Sequence, residues 1–266
     1  MAQQARPYLG EISIRYDGDI NEDDYPFTIP AVRNMATIFP HADVTFFVGE
    51  NGAGKSTILE AIAVGMGLPS EGGTGDFYRP DQQEASPLQD CLKLVKSYKK
   101  PRKSYFLRAE SLFKVFDYYE DVGSERAALH RRSHGEAFMD VMLDFKPGGL
   151  YLLDEPEAAL SPSRQLAALS AIHQLVRQEC QFIIATHSPI LLSYHGAKNL
   201  LFDGTGISEV QYEETEHVAI TRDFLNNHER RLAQLFADDG KPFTCTLTLL
   251  TGRPAKTISP PCPSSG

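Results

Sequence analysis

Apolar and polar positions alternate through LGEISIRY, residues 9–16, which is the period-two pattern of a half-buried strand. DVTFFVGE at 43–50 is instead densely apolar, as a strand covered on both faces requires, and it runs straight into a glycine-rich turn. Apolar residues then recur at helical spacing through KSTILEAIAVG, from Lys55 to Gly65, so the pattern predicts strand, loop and helix in succession. GLYLLDE at 149–155 and QFIIATHS at 181–188 repeat the buried-strand pattern and end in polar groups. Between them, SPSRQLAALSAIHQLVRQ at 161–178 predicts a helix with Ser161 as its cap and Pro162 at its first position. SYFLRAESLF at 104–113 predicts a return to the sheet, and 124–143 a short linker followed by a helix from Ser133. Strands that alternate with helices and gather polar groups at their ends indicate an α/β fold with a largely parallel sheet and a ligand at its carboxyl edge.

Two segments break the pattern. Residues 68–103 are rich in Gly, Pro and polar residues, hold at most one short helix around 87–97, and read as an insertion rather than core. The last 26 residues contain five prolines and no acid, so 237–266 is expected to be a disordered tail. The remainder reads as one domain over 1–236, with core segments 1–67 and 145–236 and an insert and helical lobe at 68–144.

Composition narrows the function classes. There is no run of 18 apolar residues and no basic-then-apolar start, so membrane insertion and export are not expected and a cytoplasmic location is. Cys91, Cys180, Cys245 and Cys262 form no C-x-x-C pair, which suggests neither a zinc site nor a disulfide framework. A formal net charge of -9 argues against wholesale wrapping of nucleic acid. A local patch remains open in KSYKKPRK at 96–103, whose bland reading is a solvated loop.

GENGAGKST at 49–57 matches G-x-x-x-x-G-K-[ST] through Gly49, Gly54, Lys55 and Ser56, between a strand and a helix as that motif requires. Its segment Gly49, Glu50, Asn51, Gly52, Ala53, Gly54, continuing into Lys55, Ser56 and Thr57, is expected to turn backbone N–H groups inward around phosphate oxygens. Lys55 is expected on the β- and γ-phosphates and the Ser56 hydroxyl on Mg²⁺. In LYLLDEPE at 150–157, Asp154 is placed to hold the Mg²⁺ through water and Glu155 to orient or deprotonate an attacking water. His187 in ATHSP stands at the end of a parallel strand, suited to touch the γ-phosphate; a structural histidine is the alternative.

GENGAGKST, SHGE, LYLLDEPEAALSP and IIATHSP, in this order, resemble the ABC-type ATPase superfamily of P-loop NTPases over about residues 9–236. The run is most similar to small, soluble, stand-alone bacterial ATPases described as AAA-family or ABC-like. The resemblance implies an ABC-ATPase-like sheet flanked by helices with a small helical subdomain. It implies a Walker A loop, Walker B with its catalytic glutamate at Asp154 and Glu155, a D-loop in EAALSP and a switch histidine at His187. It also implies ATP and Mg²⁺ as ligands and a homodimer closed around ATP. Ser133, Gly135 and Glu136 match the family's signature L-S-G-G-[QE], which binds the γ-phosphate held by the opposite protomer, whereas His134 and Arg132 depart from it. The plain alternative is that Ser133 only caps a helix. No Q-loop glutamine follows SYFLRAES, where Arg108 or Glu110 stands, and no aromatic is marked for adenine beyond Tyr16, Tyr25 and Phe27.

The short separation of Lys55 from Ser133 leaves no room for a long coiled coil. The expected function is Mg-dependent ATP hydrolysis by a soluble, transiently dimeric ATPase acting on a partner protein or nucleic acid. The alternatives are the nucleotide-binding subunit of a membrane transporter and a regulatory nucleotide-binding module with little turnover.

Overall fold

A computed structural model describes residues 6–15, 23–75, 87–112 and 134–236. They fall into two compact units, one through Thr215 and one beginning at Glu216. The elements of the first are β1 (Leu9–Ile14), α1 (Pro30–Arg33), β2 (Val44–Val48), α2 (Lys55–Gly65), β3 (Gly73–Thr74), α3 (Pro87–Cys91), β4 (Leu92–Lys96) and β5 (Ser104–Arg108). Then come α4 (His134–Leu143), β6 (Leu150–Asp154), α5 (Pro162–Val176), β7 (Gln181–Ala185), α6 (Pro189–Leu192), β8 (Lys198–Asp203) and β9 (Gly206–Val210).

The main sheet has the order β3-β5-β6-β7-β2-β8-β9. β5, β6, β7, β2 and β8 are parallel, and β3 and β9 are antiparallel edges. Every residue of β2, β6 and β7 is buried, which is why these strands read as continuous apolar runs. Because the five strands point the same way, the segments that follow β2, β5, β6 and β7 all emerge at one edge. That edge collects Gly49–Gly54, Arg108, Asp154–Glu155 and His187.

β1 does not join this sheet. It pairs antiparallel with β4, and the buried side chain of Gln181 ties β1 to β7: its Nε2 donates to Leu9 O at 3.0 Å and its Oε1 accepts from the Leu9 amide at 3.0 Å. A buried amide satisfied on both sides costs little, whereas an apolar replacement would strand the Leu9 groups.

The segment 68–103 departs from the expectation in two ways. The helix anticipated around 87–97 stops at Cys91, and 92–96 is a strand. Leu92 and Leu94 turn inward at period two and pack on the core shared by β1 and α2, which overrides the helical reading of so short a stretch. Nor is the segment merely inserted: Leu68, Leu88 and Leu92 belong to that core, and Gly73–Thr74 extends the sheet beside β5. At α5, Ser161 holds the N-cap position as expected, but its side chain caps no amide; its Oγ lies 3.2 Å from Ser163 Oγ.

The second unit contributes α7 (Glu216–Phe236), kinked at Asn227 and braced by Arg231 Nε donating to Asp223 Oδ2 at 2.6 Å. No helix among the described residues is long and apolar enough to cross a membrane. Ser133, the side chain of His134, Tyr16 and the segment 237–266 lie outside the described residues.

Candidate functional site

The loop after β2 owes its course to glycine. Gly49 has φ 147°, and a Cβ there would stand 2.2 Å from Phe202 O on the neighbouring strand β8. Gly54 has φ 96°, and a Cβ would meet Ile29 Cγ2 at 2.9 Å. Only glycine satisfies both the backbone conformation and the close approach at Gly49. α2 begins immediately at Lys55, so its unpaired amides and positive dipole end face the loop.

Lys55 is 3% exposed, and its Nζ donates to Gly49 O at 2.8 Å and Glu50 O at 2.9 Å. Burial pushes its pKa below the ordinary lysine value, opposed by the carboxylates of Glu155, Asp154, Glu157 and Glu50. Ser56 Oγ donates to Asp154 Oδ1 at 2.8 Å, across 98 positions of sequence. Burial pushes the Asp154 carboxyl up to about 6, while the Ser56 hydroxyl and Arg108 hold it down. A hydroxyl and a carboxylate from two elements make an all-oxygen pair suited to a hard cation such as Mg²⁺. Among the described residues no group of three His, Cys, Asp or Glu side chains is placed to hold a metal alone, so this pair fits an ion completed by phosphate oxygens and water.

Glu155 turns the chain at the end of β6 with φ 48°, a left-handed conformation rare for a side chain of its size, held by its amide donating to Ala185 O at 3.0 Å. Its Oε1 is 3.6 Å from His187 Nε2, so the two groups expected to meet an attacking water border one spot. Glu157 was given no role by the sequence. Its Oε2 accepts from Thr186 Oγ1 at 2.7 Å and its Oε1 from the His187 amide, which anchors the backbone that carries the histidine. Burial raises the Glu157 pKa, with both of those hydrogen bonds opposing.

Of the two residues at the expected Q-loop position, Arg108 is the last residue of β5 and the register partner of Asp154. Its Nε lies 3.3 Å from Asp154 Oδ2 and its Nη1 donates to Glu60 Oε2 on α2 at 2.8 Å. Glu110 is exposed, and its charge raises the Asp154 pKa. Phe27 is 6% exposed and belongs to the core, which removes it as an adenine platform. Tyr25 is 64% exposed with its hydroxyl 3.1 Å from Thr57 Oγ1.

The signature stretch lies against the start of α5. Glu136 is exposed and its Oε1 accepts from Arg164 Nη2 at 3.3 Å. Gly135 is buried, and a Cβ there would stand 2.7 Å from Ala159 O, within EAALSP. Gly135 and Glu136 thus sit beside EAALSP and the start of α5 rather than among Lys55, Ser56 and Asp154.

Two family models match the chain: an AAA domain over residues 36–86, and an "AAA domain, putative AbiEii toxin, Type IV TA system" over 137–193. The first contains the glycine loop and the second runs from α4 through Asp154 to His187. The chain is 21% identical to ATP-binding protein Uup of Buchnera aphidicola over 240 residues, covering 86% of this chain and 38% of that protein. It is 24% identical over 198 residues to an uncharacterized ABC transporter ATP-binding protein of Haemophilus influenzae, covering 65% of this chain and 74% of that one. The chain is therefore similar to AAA-domain and ABC-type ATP-binding proteins. Among solved structures, the SMC head domain from Thermotoga maritima is similar with a TM-score of 0.43 and 14% identity, over 76% of this chain and 99% of that one. Sequence reading gave Glu60 and Glu157 no role of their own, and named Arg108 only as a candidate at the Q-loop position. Arg108 carried a visible signal, a lone cation closing the apolar strand SYFLR; Glu157 was marked only as part of EAALSP, and Glu60 carried none.

Proposed function

We propose that this chain is an ABC-type ATPase that hydrolyses ATP with Mg²⁺ and closes as a homodimer around the nucleotide to act on a partner protein or nucleic acid. The observation that carries the reading is the convergence at one sheet edge of Ser56 and Asp154, 2.8 Å apart, with Glu155 and His187, 3.6 Å apart, beside the Gly49–Gly54 loop. The loop amides and Lys55 would bind the phosphates, and Ser56 and Asp154 would hold Mg²⁺, which would supply positive charge to the phosphates. Glu155 accepts a proton from the attacking water, and His187 fixes that water and the γ-phosphate from the other side. Tyr25, exposed and with its hydroxyl 3.1 Å from Thr57 Oγ1 just after the loop, suits the adenine. Ser133, Gly135 and Glu136 complete the partner protomer's site.

Glu155→Gln tests both halves. It is expected to abolish turnover, retain ATP binding and accumulate a dimer in sedimentation only with ATP and Mg²⁺; Ser133→Arg on that background restores the monomer. Absence of turnover in the wild type refutes the enzyme reading, and a monomer in every condition refutes the closed pair.

A further inference from the structure

The loop between β4 and β5 carries four exposed cations, Lys99, Lys100, Arg102 and Lys103, in a chain whose formal net charge is -9. Tyr98, beside them, is 70% exposed. The loop is held in place: the Arg102 amide donates to Gly148 O at 2.8 Å and the Leu150 amide donates to Lys103 O at 3.0 Å. The Gly148 amide donates in turn to Gln178 O at 2.9 Å, which brings the exposed Arg177 at the end of α5 to the same edge.

Among the described residues of this edge, Asp144 is bonded to Lys146 at 2.7 Å and Asp43 to Arg6. None of the ion pairs among the described residues involves Lys99, Lys100 or Arg102. Since this loop precedes β5 and the glycine loop follows the parallel strand β2, the patch occupies the sheet edge opposite to the nucleotide site.

We propose that this loop docks single-stranded nucleic acid, with Lys99, Lys100, Arg102 and Lys103 on successive phosphates and Tyr98 stacked on a base. Clustered cations neutralise a phosphodiester backbone, and an exposed ring among them adds stacking that every base can accept. An anionic membrane surface fits less well, since it calls for several large apolar side chains to insert and this loop offers one ring. Docking at this edge leaves the nucleotide site clear. The inference goes beyond the ATPase reading and does not rest on it, because binding is measured without nucleotide.

The experiment is fluorescence anisotropy of a labelled single-stranded oligonucleotide of mixed sequence with the full chain between about 50 and 200 mM salt. The wild type is expected to bind with a log–log salt slope of about -2 to -3, for up to four phosphates. Lys99→Gln, Lys100→Gln, Arg102→Gln and Lys103→Gln together weaken binding at least about tenfold and flatten the slope. Tyr98→Ala alone weakens the single strand about fivefold or more and leaves duplex binding unchanged. It also supplies the test if the combined variant does not fold. No salt-dependent binding by the wild type, binding unaltered in these variants, or binding to phosphatidylserine vesicles without binding to the oligonucleotide overturns the proposal.

Discussion

Arg108 Nε lies 3.3 Å from Asp154 Oδ2, the carboxylate that Ser56 bonds on its other oxygen. A guanidinium at the end of β5 thus compensates a carboxylate that is 3% exposed. Removing one partner of a buried ion pair leaves the other charge uncompensated. Arg108→Ala is expected to cost about 2 kcal/mol of stability at pH 7 in the metal-free protein, measured by urea unfolding. The loss shrinks at pH 5, where Asp154 takes up a proton.

Asp154 sets a pH dependence whose sign follows from its environment. Its folded pKa, about 6, exceeds its value in an unfolded chain, so the native state keeps a proton that the unfolded state releases. The associated stability is present below about pH 4 and is lost as pH rises through about 6. Asp154→Asn has no proton to lose. In metal-free protein it gains stability relative to the wild type between pH 4 and 7, by on the order of 2 kcal/mol. A variant-to-wild-type difference that stays flat over this range in thermal melts contradicts the assignment.

Glu157 is expected to matter through His187. Glu157→Ala strands the Thr186 hydroxyl and the His187 amide that its carboxylate accepts, costing about 2 kcal/mol and lowering ATP turnover. Glu157→Gln recovers much of both, because the amide oxygen accepts from the His187 N–H while the amide nitrogen faces a hydroxyl able to accept. Equal loss in the two variants, by melting and turnover, indicates that the carboxylate charge is required and a neutral acceptor does not replace it.

Gly135 offers a test of the signature stretch. An alanine Cβ would meet Arg164 Nη1 at 2.4 Å, which can move, and Ala159 O at 2.7 Å, which is backbone and cannot without shifting the D-loop segment. Gly135→Ala is expected to cost about 1–3 kcal/mol and to weaken ATP-dependent pairing in the Glu155→Gln background, read by sedimentation. Unchanged pairing places this stretch outside the interface.

Local requirements were legible in the sequence. The phosphate loop is one contiguous segment whose backbone demands glycine at Gly49 and Gly54, and strands covered on both faces must be apolar throughout, so β2, β6 and β7 announce themselves. The positions of Asp154 and His187 followed, because parallel strands bring their carboxyl ends to one edge. The strand β4 did not, since five residues suit either period and only pairing with β1 selects one.

What the sequence determined by itself is therefore the chemistry on hand and the edge where it gathers: Lys55, Ser56, Asp154, Glu155 and His187. Only the tertiary structure decided which cation answers Asp154 and which carboxylate carries His187. Arg108, Glu60 and Asp154 belong to three elements, and Glu157 reaches Thr186 across 29 positions. Such pairings arise from burial and strand register, and the spacing of residues along a chain holds no trace of them.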